Sequence, residues 1–540
     1  MQVSAFDEHL HERLDAIRAA GLYRELHRVD SPQSPRIKIG GQTLLNFSSN
    51  DYLGLANDPI LKEAAIKAVE KFGAGAGASR LICGSLAPFH ELEKALAGFK
   101  KAEAALSFSS GYAMAIGTIC ALLGKDDVVV LDKLVHACIV DAARLCGAKI
   151  RVFAHNDLDD LENILRWANR KDELRGSQFE TGTRITCPSE RKRCTLVVTE
   201  SVFSMDGDAA PLREIVALKE KYGAWLMVDE AHATGVCGKN GRGLADELGV
   251  DHRVEIQMGT LGKALGASGG FICGSRLLID FLVNRARSFI FSTAPAPAAA
   301  AAATAAVRFV QSNNGEARRK ILWARVGELQ SAIGNRQPKI PGAIVPILIG
   351  DERKTIEAAA ALRERGIFIP AIRYPTIARG KARLRVTLTA AHTTEEVNRL
   401  AATLNELANR KSKIECTALP NSTINSSGIR SRRCATGCGV SRWSSFPAKA
   451  RCCATQRAAN IWTPIHPSGP ISTAITIPKS TRRSSGNSRR SRTVPPSASP
   501  TNQHPCWQGN WFKLRISKCW GERPREPALA RQSKAAVARQ

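Results

Sequence analysis

Long apolar runs are missing from this 540-residue chain, as are the basic start and apolar core of a secretory leader. No stretch of the chain contains the roughly 18 uninterrupted apolar residues that indicate a membrane-spanning helix. The opening segment, Met1–Leu10, is polar and acidic. We therefore expect a cytoplasmic protein without a membrane segment.

Paired cysteines are also missing from the first 410 residues, where eight scattered cysteines include no CxxC pair. Scattered thiols in a chain of this kind are more often buried than joined in disulfides or bound to zinc. The remaining seven cysteines have no histidines at zinc-finger spacing. The sequence thus predicts no metal site.

Acidic residues are nearly absent from one part of the chain. Residues 411–540 contain 23 Lys and Arg but only three Glu and no Asp, so they carry +20 of the total charge of +28. They sustain neither a helical nor a strand period. Two kinds of sequence therefore meet near Arg410, and the first of them has the composition of an ordinary globular protein.

Strand-like and helical segments alternate in the first part of the chain. Six short apolar runs are predicted as strands: Ala104–Phe108, Val128–Leu131, Lys149–Phe153, Thr195–Glu200, Trp225–Asp229 and Gly270–Gly274. Helical spacing lies between most of them, which predicts an α/β protein with a mostly parallel sheet covered on both faces. Polar residues that follow such strands gather at the carboxyl edge of the sheet, where ligands bind.

The pattern divides the chain into four regions. These are an N-terminal helix and short strands (1–45), a large domain (46–295), a smaller C-terminal α/β domain (296–408) and a basic tail (409–540). Apolar spacing over residues 7–28 predicts the N-terminal helix. Residues 296–306 are nearly all alanine and predict a packed helix, whereas the charged residues 168–194 predict an irregular, solvated insertion.

The most informative stretch is Met258–Gly270, which places Lys263 among small residues. Upstream, Asp229 and His232 close an apolar run. A lysine can form a Schiff base with a cofactor aldehyde, and a buried carboxylate can keep a pyridine nitrogen protonated. Together these residues indicate a site for pyridoxal 5'-phosphate (PLP).

Two nucleotide-binding motifs resemble the same residues but do not fit. Asp229–His232 reads Asp-Glu-Ala-His, like a helicase box, yet the phosphate-binding Gly-Lys-Ser/Thr loop is missing upstream. Lys263 stands in a partial P-loop pattern, but Ala264 follows it in place of Ser or Thr. Both interpretations are therefore excluded.

Three features near the same sheet edge stay ambiguous on the residues alone. Ser109–Met114 follows a strand and precedes a helix, so its N–H groups could bind a phosphate or could form a plain turn. His136 could stack on a flat cofactor or be structural. Asp229 could cap a helix, although its burial would be costly unless a cation compensates it.

Residues 4–408 resemble the α-oxoamine synthase family of fold-type I PLP enzymes. The resemblance rests on four stretches: Asn46–Leu55, Thr199–Asp208, Val228–Gly235 and Gly259–Ala264. It implies a large PLP-binding domain with a mostly parallel sheet and a smaller C-terminal α/β domain. Ile369–Thr376 and Ala382–Thr389 most resemble the branch that joins L-alanine to a pimeloyl thioester, although Tyr374 stands where a second proline is common.

The resemblance also implies roles for individual residues. Lys263 would carry PLP, Asp229 would pair with its pyridine nitrogen, and His136 would stack on its ring beside the substrate; these are the expected catalytic residues. The other cofactor contacts would be Gly111, Tyr112 and Thr260 at the phosphate, and Ser204 and His232 near the phenolic oxygen. The remaining substrate contacts would be Arg385, assisted by Asn50, at the amino-acid carboxylate, and Arg24 and Thr376 at the acyl group.

The implied reaction is a decarboxylating condensation of L-alanine with pimeloyl-CoA or pimeloyl-acyl carrier protein. The resemblance further implies a homodimer with sites at the subunit interface, and neither a membrane nor a specific nucleic acid is an expected partner. Glycine-using and serine-using enzymes share the family-wide motifs and stay open as alternatives. A decayed core that carries a basic binding tail also stays open, but the intact Lys263, Asp229, His232 and His136 argue against it.

Three interpretations of the basic tail are open: a binding extension, plain disorder, or out-of-frame translation. One coding sequence compatible with Thr473–Arg483, read one base earlier, spells a peptide that resembles part of another PLP-dependent aminotransferase. We favour the out-of-frame interpretation and expect residues 409–540 to be disordered and dispensable.

Overall fold

The computed structural model describes residues 4–177, 193–334 and 342–409. Its strands are β1 (Arg36–Ile39), β2 (Gln42–Asn46), β3 (Ala104–Phe108), β4 (Val128–Asp132), β5 (Lys149–Phe153), β6 (Thr195–Glu200), β7 (Trp225–Asp229), β8 (Ile256–Thr260), β9 (Gly270–Gly274), β10 (Ile344–Gly350), β11 (Ile367–Phe368), β12 (Ala371–Ile372) and β13 (Ala382–Thr387). Its helices are α1 (Ala5–Ala19), α2 (Pro59–Phe72), α3 (Ala87–Lys100), α4 (Gly111–Leu122), α5 (Ala137–Cys146), α6 (Leu158–Ser177), α7 (Leu212–Lys221), α8 (Leu244–Glu247), α9 (Arg276–Arg285), α10 (Arg287–Ile290), α11 (Pro297–Val310), α12 (Asn313–Ala332), α13 (Glu352–Glu364) and α14 (Thr394–Asn409). The predicted α/β class is confirmed. The basic tail lies outside the described residues, so its predicted disorder stays a prediction.

Strands β3 to β9 form one seven-stranded sheet in the order β3-β9-β8-β7-β6-β4-β5. Strand β9 runs antiparallel to both of its neighbours, whereas β8, β7, β6, β4 and β5 pair in parallel. The mostly parallel sheet is therefore confirmed. Strand β8 was not among the predicted strands, because its short sequence Ile-Gln-Met-Gly-Thr merges into the glycine-rich run that follows.

The sheet is buried on both faces, and β4 shows the pattern. Val128 and Val130 pack into one apolar cluster, which includes side chains of α3 and α7, while Val129 and Leu131 pack into a second cluster with α4 and α5. A strand covered on both sides reads as a continuous apolar run. The same burial fixes the strand ends that carry the polar residues described below.

The C-terminal part of the described chain has a smaller sheet with the order β10-β13-β12. Helix α13 packs against β10, β12 and β13. Strand β11 pairs in parallel with β2, which joins the N-terminal strands β1 and β2 to this region. The alanine-rich α11 packs against α2 and α3, as its composition predicted.

Two helix boundaries differ from the prediction. Helix α1 ends at Ala19 rather than at residue 28, because Gly21 adopts a left-handed φ of 66° and turns the chain. Helix α6 continues to Ser177, so residues 168–177 are helical and not irregular as predicted. Residues 178–192 of that predicted insertion lie outside the described residues.

In the described parts of the chain, no helix is long and apolar enough to cross a membrane.

Candidate active site

Six strand ends meet at one edge of the large sheet. Strands β3, β4, β5, β6, β7 and β8 run in the same direction, so their carboxyl ends share that edge. Asp229 is the last residue of β7, and Gly111, His136, Ser204 and Lys263 come shortly after the ends of β3, β4, β6 and β8. The edge therefore gathers most of the residues that the sequence singled out.

His232 lies at the centre of a short chain of polar side chains. Its Nε2 is 2.6 Å from the Lys263 Nζ, and its Nδ1 is 2.5 Å from the Tyr52 hydroxyl. Burial, together with the nearby Lys263 and Arg385 charges, lowers the pKa of His232 well below its usual value. Burial also raises the pKa of Tyr52 to about 12. A neutral imidazole thus links a neutral phenol to the lysine amine.

Lys263 has an environment that favours a reactive amine. Burial lowers its pKa, although the Asp229 and Glu200 charges act in the opposite direction. A lowered pKa increases the share of unprotonated amine, which is the nucleophilic form. The structure therefore places the one lysine of the glycine-rich motif in a setting suited to covalent chemistry.

Two buried carboxylates lie close to this lysine. Burial raises the pKa of both Asp229 and Glu200, and the Lys263 charge opposes the rise in each case. Asp229 Oδ1 accepts a hydrogen bond of 2.8 Å from the Ala231 N–H, which aims its side chain. Glu200 Oε2 accepts from the Ser204 N–H at 3.1 Å, while its Oε1 has no hydrogen-bond partner among the described residues. The pair forms a desolvated site in which a bound cation would stabilise the ionised form of the carboxylates.

His136 begins helix α5. Its Nδ1 accepts from the Cys138 N–H at 3.2 Å, so the ring acts as the N-cap of the helix. The residue as a whole is exposed, but partial burial of its ring lowers its pKa. The Asp229 charge acts to raise the pKa of His136 and the Lys263 charge acts to lower it, both with smaller effects. The structural and functional interpretations of His136 are compatible, because one ring edge caps the helix while the ring face stays available.

A cradle of backbone donors lies at the start of α4. The helix begins at Gly111, so the N–H groups of Gly111 and Tyr112 have no acceptor within the helix. A Cβ on Gly270 would come within 2.9 Å of the Gly111 Cα, which explains the small residue there. Thr260 stands at the end of β8 and donates its hydroxyl to the Gly269 carbonyl at 3.1 Å. A helix N-terminus of this kind suits a phosphate.

Arg385 projects from β13 toward the same region. Its Nε donates to the Ser204 carbonyl at 2.6 Å, and its Nη1 donates to Asn50 Oδ1 at 3.1 Å and to Thr387 Oγ1 at 3.0 Å. Asn50 Oδ1 also accepts from the Tyr52 hydroxyl at 3.3 Å. The predicted pair of Arg385 and Asn50 is thus in direct contact and joined to the His232 network.

Arg24 and Thr376 meet at an exposed position. The Arg24 Nη2 lies 3.4 Å from the Thr376 hydroxyl oxygen, and both residues are exposed. Arg373 reaches back to the Tyr23 carbonyl at 3.4 Å, which ties the segment after α1 to the chain before β13. The two residues predicted for the acyl substrate are therefore neighbours, although 352 positions separate them in sequence.

Sequence reasoning overlooked Tyr52 and Glu200 as site residues. Both stood inside motifs that were quoted for the family resemblance, but neither has a local pattern that sets it apart. Tyr52 is 1% exposed and 180 residues from its partner His232. For Ser204, the resemblance implied a hydroxyl contact; the contacts that the structure gives are those of its backbone N–H and carbonyl.

The arrangement fits PLP. The fit rests on a desolvated pair of carboxylates with an unpartnered Glu200 oxygen, an amine of lowered pKa at Lys263, and a helix N-terminus at Gly111. These match a pyridinium, an aldehyde and a phosphate in turn. Among the described residues, no cluster of His, Cys, Asp or Glu could hold a metal ion.

Comparison with known proteins gives the same class. The family model for aminotransferase class I and II matches residues 42–404. The 8-amino-7-oxononanoate synthase of Anaeromyxobacter sp. (strain Fw109-5) is 49% identical over 397 residues, which make up 73% of this chain and 94% of that protein.

Solved structures are similar over the same region. A serine palmitoyltransferase of Sphingomonas wittichii covers 76% of this chain and 99% of its own, with a TM-score of 0.66 and 30% identity. An 8-amino-7-oxononanoate synthase of Francisella tularensis covers 68% of this chain and 98% of its own, with a TM-score of 0.55 and 25% identity.

Fold and site thus define a PLP-dependent enzyme of fold type I, within the class I and II aminotransferases. More narrowly, the chain belongs to the 8-amino-7-oxononanoate synthase family, because it is 49% identical to the Anaeromyxobacter member over 94% of that protein's length.

Proposed function

We propose that this enzyme condenses L-alanine with a pimeloyl thioester, with loss of carbon dioxide, to give 8-amino-7-oxononanoate for biotin biosynthesis. The observation that carries the proposal is the 49% identity to an 8-amino-7-oxononanoate synthase, combined with an intact Lys263–His232 pair at 2.6 Å. Bound PLP supplies the electron sink for the carbanion at the alanine Cα. Everything else in the reaction depends on how the protein binds and orients the reactants.

Lys263 first holds the cofactor and then acts as the base. With alanine bound at the site, the free Lys263 amine would remove the Cα proton and later return one. The lowered pKa of Lys263 supports this role, because a base must be available in its unprotonated form. His232 accepts or donates at Nε2 and keeps the amine aimed at the substrate.

Asp229 would hold the cofactor's pyridine nitrogen in its cationic form, and His136 would contact the cofactor ring. A buried carboxylate with a raised pKa gains most from a cation, which is the reason to assign it to the pyridine nitrogen. Gly111, Tyr112 and Thr260 would hold the phosphate at the N-terminus of α4. Ser204 and His232 would lie near the phenolic oxygen.

Arg385 binds the alanine carboxylate with its planar guanidinium, which lysine could not replace. Asn50 accepts from its Nη1 and helps to hold it in place. Arg24 and Thr376 contact the pimeloyl group, since they form an exposed pair that a long acyl substrate can reach. The carrier of the acyl group is either CoA or acyl carrier protein.

We further propose that the enzyme is a homodimer with sites at the subunit interface. Two loops expose apolar side chains that a single chain leaves uncovered: Leu81 (50% exposed) and Ile82 (79%) after α2, and Phe291 (70%) after α10. A backbone bridge between Ser79 and Thr293 joins these two loops. Exposed apolar side chains grouped in this way often mark an interface. Sedimentation analysis of the full chain should give twice the monomer mass, and a monomer that retains full activity would contradict the proposal.

The proposed substrates are tested by CoA release from pimeloyl-CoA with L-alanine, glycine and L-serine in turn. We expect L-alanine to give the highest kcat/KM. If glycine with acetyl-CoA gave the higher value, the branch assignment would be wrong while the PLP chemistry would stand.

A serine-using enzyme is the second candidate, because the serine palmitoyltransferase fold is similar over 76% of the chain. The same assay separates the two. A higher kcat/KM with L-serine and a long-chain acyl-CoA would favour this alternative.

A further inference from the structure

Strand β13 presents two arginines on one face. Arg383 and Arg385 are two positions apart, so their side chains point to the same side of the strand, and both are buried. Arg383 Nη1 donates to Asp206 Oδ1 at 2.5 Å and to the Met205 carbonyl at 3.1 Å. Arg385 Nε donates to the Ser204 carbonyl at 2.6 Å. One strand of the C-terminal region therefore holds three consecutive residues of a large-domain loop.

That loop, residues 203–208, is also held from its other side. Asp208 Oδ2 lies 2.8 Å from His155 Nε2 and accepts from Asn156 Nδ2 at 3.2 Å. Between the two anchored ends, Gly207 adopts a φ of 73°, and a Cβ there would come within 2.6 Å of the Ile344 carbonyl oxygen. The 203–208 loop thus has little freedom to shift while both sets of contacts are intact.

The Arg383–Asp206 ion pair is nearly dry. The Arg383 side chain is 5% exposed and that of Asp206 11%. A buried pair with additional hydrogen bonds is costly to break, because either partner alone would leave an uncompensated charge. The pair makes no contact with Lys263, Asp229 or His136 in the described residues, so the reaction itself does not account for it.

We propose that the Arg383–Asp206 ion pair is a positioning device for the amino-acid substrate. It holds the 203–208 loop against β13, so that the Ser204 carbonyl fixes the Nε edge of Arg385. Asn50 and Thr387 accept from Nη1, so the Nη2 end of Arg385 then points in a set direction toward the substrate carboxylate. The inference rests on the carboxylate-binding role proposed for Arg385.

The expected consequence is selective for one substrate. If the loop shifts, the Arg385 fork turns away from the carboxylate, while the groups proposed for the acyl substrate, Arg24 and Thr376, make contacts elsewhere. Small misplacements of a positioning group can be costly for binding and rate. Loss of the ion pair should therefore weaken alanine binding and leave thioester binding unchanged.

The test uses the full chain loaded with PLP, with Asp206→Asn as the main variant. Its KM for L-alanine should rise about tenfold, while kcat and the KM for pimeloyl-CoA stay within about twofold. Titration with L-alanine alone, followed by the change in cofactor absorbance, should show the same tenfold weakening without turnover. Arg383→Lys keeps a cation but loses the fork, and should give an intermediate rise.

Glu220→Gln is the matched control, because it removes a carboxylate from an ion pair with Arg253 in which both side chains are exposed. It should leave both KM values unchanged. The proposal is overturned if folded Asp206→Asn keeps the wild-type KM for L-alanine, or if the KM values for both substrates rise together. A wild-type enzyme that shows neither turnover nor an absorbance change with L-alanine would instead overturn the proposed function.

Discussion

We propose that Lys263 acts both as the attachment point of the cofactor and as a base, and its surroundings suit both tasks. Burial lowers its pKa, and His232 Nε2 contacts its Nζ at 2.6 Å. His232 is itself kept neutral by burial and is anchored by the Tyr52 hydroxyl. The contact with His232 therefore orients the Lys263 amine, and burial favours its unprotonated form.

Replacing Lys263 by Ala removes the only group that we assign to covalent attachment of PLP. Reduction of the loaded enzyme with borohydride, followed by peptide mapping, should place the cofactor label on Lys263 in the wild type and on no lysine in Lys263→Ala. Turnover should fall to background. Lys67→Ala, a change at an exposed position on α2, is the control and should behave like the wild type. A label found on another lysine would show that the assignment is wrong.

Asp229 is the second residue to which we assign a role in the chemistry. Asp229→Asn keeps the size of the side chain but removes the anion that balances the ring nitrogen. We expect kcat to fall by ~10²–10³ or more, the loss typical when a charge at a reacting centre is removed. Asp280→Asn, at an exposed position on α9, should leave kcat unchanged. Near-normal turnover of a well-folded Asp229→Asn enzyme would count against its role.

At the scale of elements, the 203–208 loop depends on a histidine between two carboxylates. His155 Nδ1 lies 3.0 Å from Asp132 Oδ1, and its Nε2 lies 2.8 Å from Asp208 Oδ2. Burial alone would lower the pKa of His155, but the hydrogen bonds to Asp132 and Asp208 outweigh it and raise the pKa to about 10. The protonated imidazole therefore joins the ends of β4 and β5 to the loop.

This arrangement predicts a pH-dependent contribution to stability. Because the pKa of His155 is higher in the folded state than its ordinary 6.5, its stabilisation is fully present below about pH 6.5 and is lost as the pH rises toward 10. His155→Gln should cost ~1.5–3 kcal/mol at pH 6, the usual worth of hydrogen bonds to charged groups.

Thermal unfolding between pH 6 and 10 measures the effect. The difference in Tm between the wild type and His155→Gln should shrink as the pH rises. His252→Gln, at a position that is 71% exposed, should show no such trend. A difference that stays constant over this range would contradict a charged His155.

Local patterns predicted the elements better than the contacts between them. Buried strands such as β4 are continuous apolar runs, so the alternation located them and the polar residues at their ends. Strand β8 was not predicted from the sequence, because its extended conformation depends on pairing with β7 and β9 rather than on its own composition. The early end of α1 depends on a single glycine conformation.

Long-range contacts could not be read from the sequence for a similar reason. Tyr52 and His232 are 180 residues apart, and Arg383 and Asp206 are 177 apart. No local period distinguishes such residues, because only the packing of the finished fold brings them together. The local motifs supplied Lys263 and Asp229, and the family resemblance supplied Arg385. Neither supplied Tyr52 or the Arg383–Asp206 pair.

At the scale of the whole molecule, the chain joins two sequences of different character. The residues proposed for the site all precede Arg410, while residues 411–540 carry most of the net charge. A chain ending at Arg410 should therefore fold, dimerise and keep wild-type kcat/KM. The full chain should show salt-sensitive binding to a phosphocellulose or heparin column, and the shortened chain should lose it.

Sequencing of the gene around the Arg410 codon gives an independent check. A shift in the reading frame at that point is the expected result. An intact frame, together with loss of activity on truncation, would show that the tail is a genuine part of the enzyme.

The central claim is that the enzyme joins alanine to a pimeloyl thioester and releases the alanine carboxyl group. The most direct measurement supplies L-alanine labelled in its carboxyl carbon, together with pimeloyl-CoA, and follows labelled carbon dioxide, free CoA and the amino ketone product. We predict that carbon dioxide and CoA appear in equal amounts and that the product, 8-amino-7-oxononanoate, carries no label. Release of CoA without labelled carbon dioxide, or a product that retains the label, would contradict the claim.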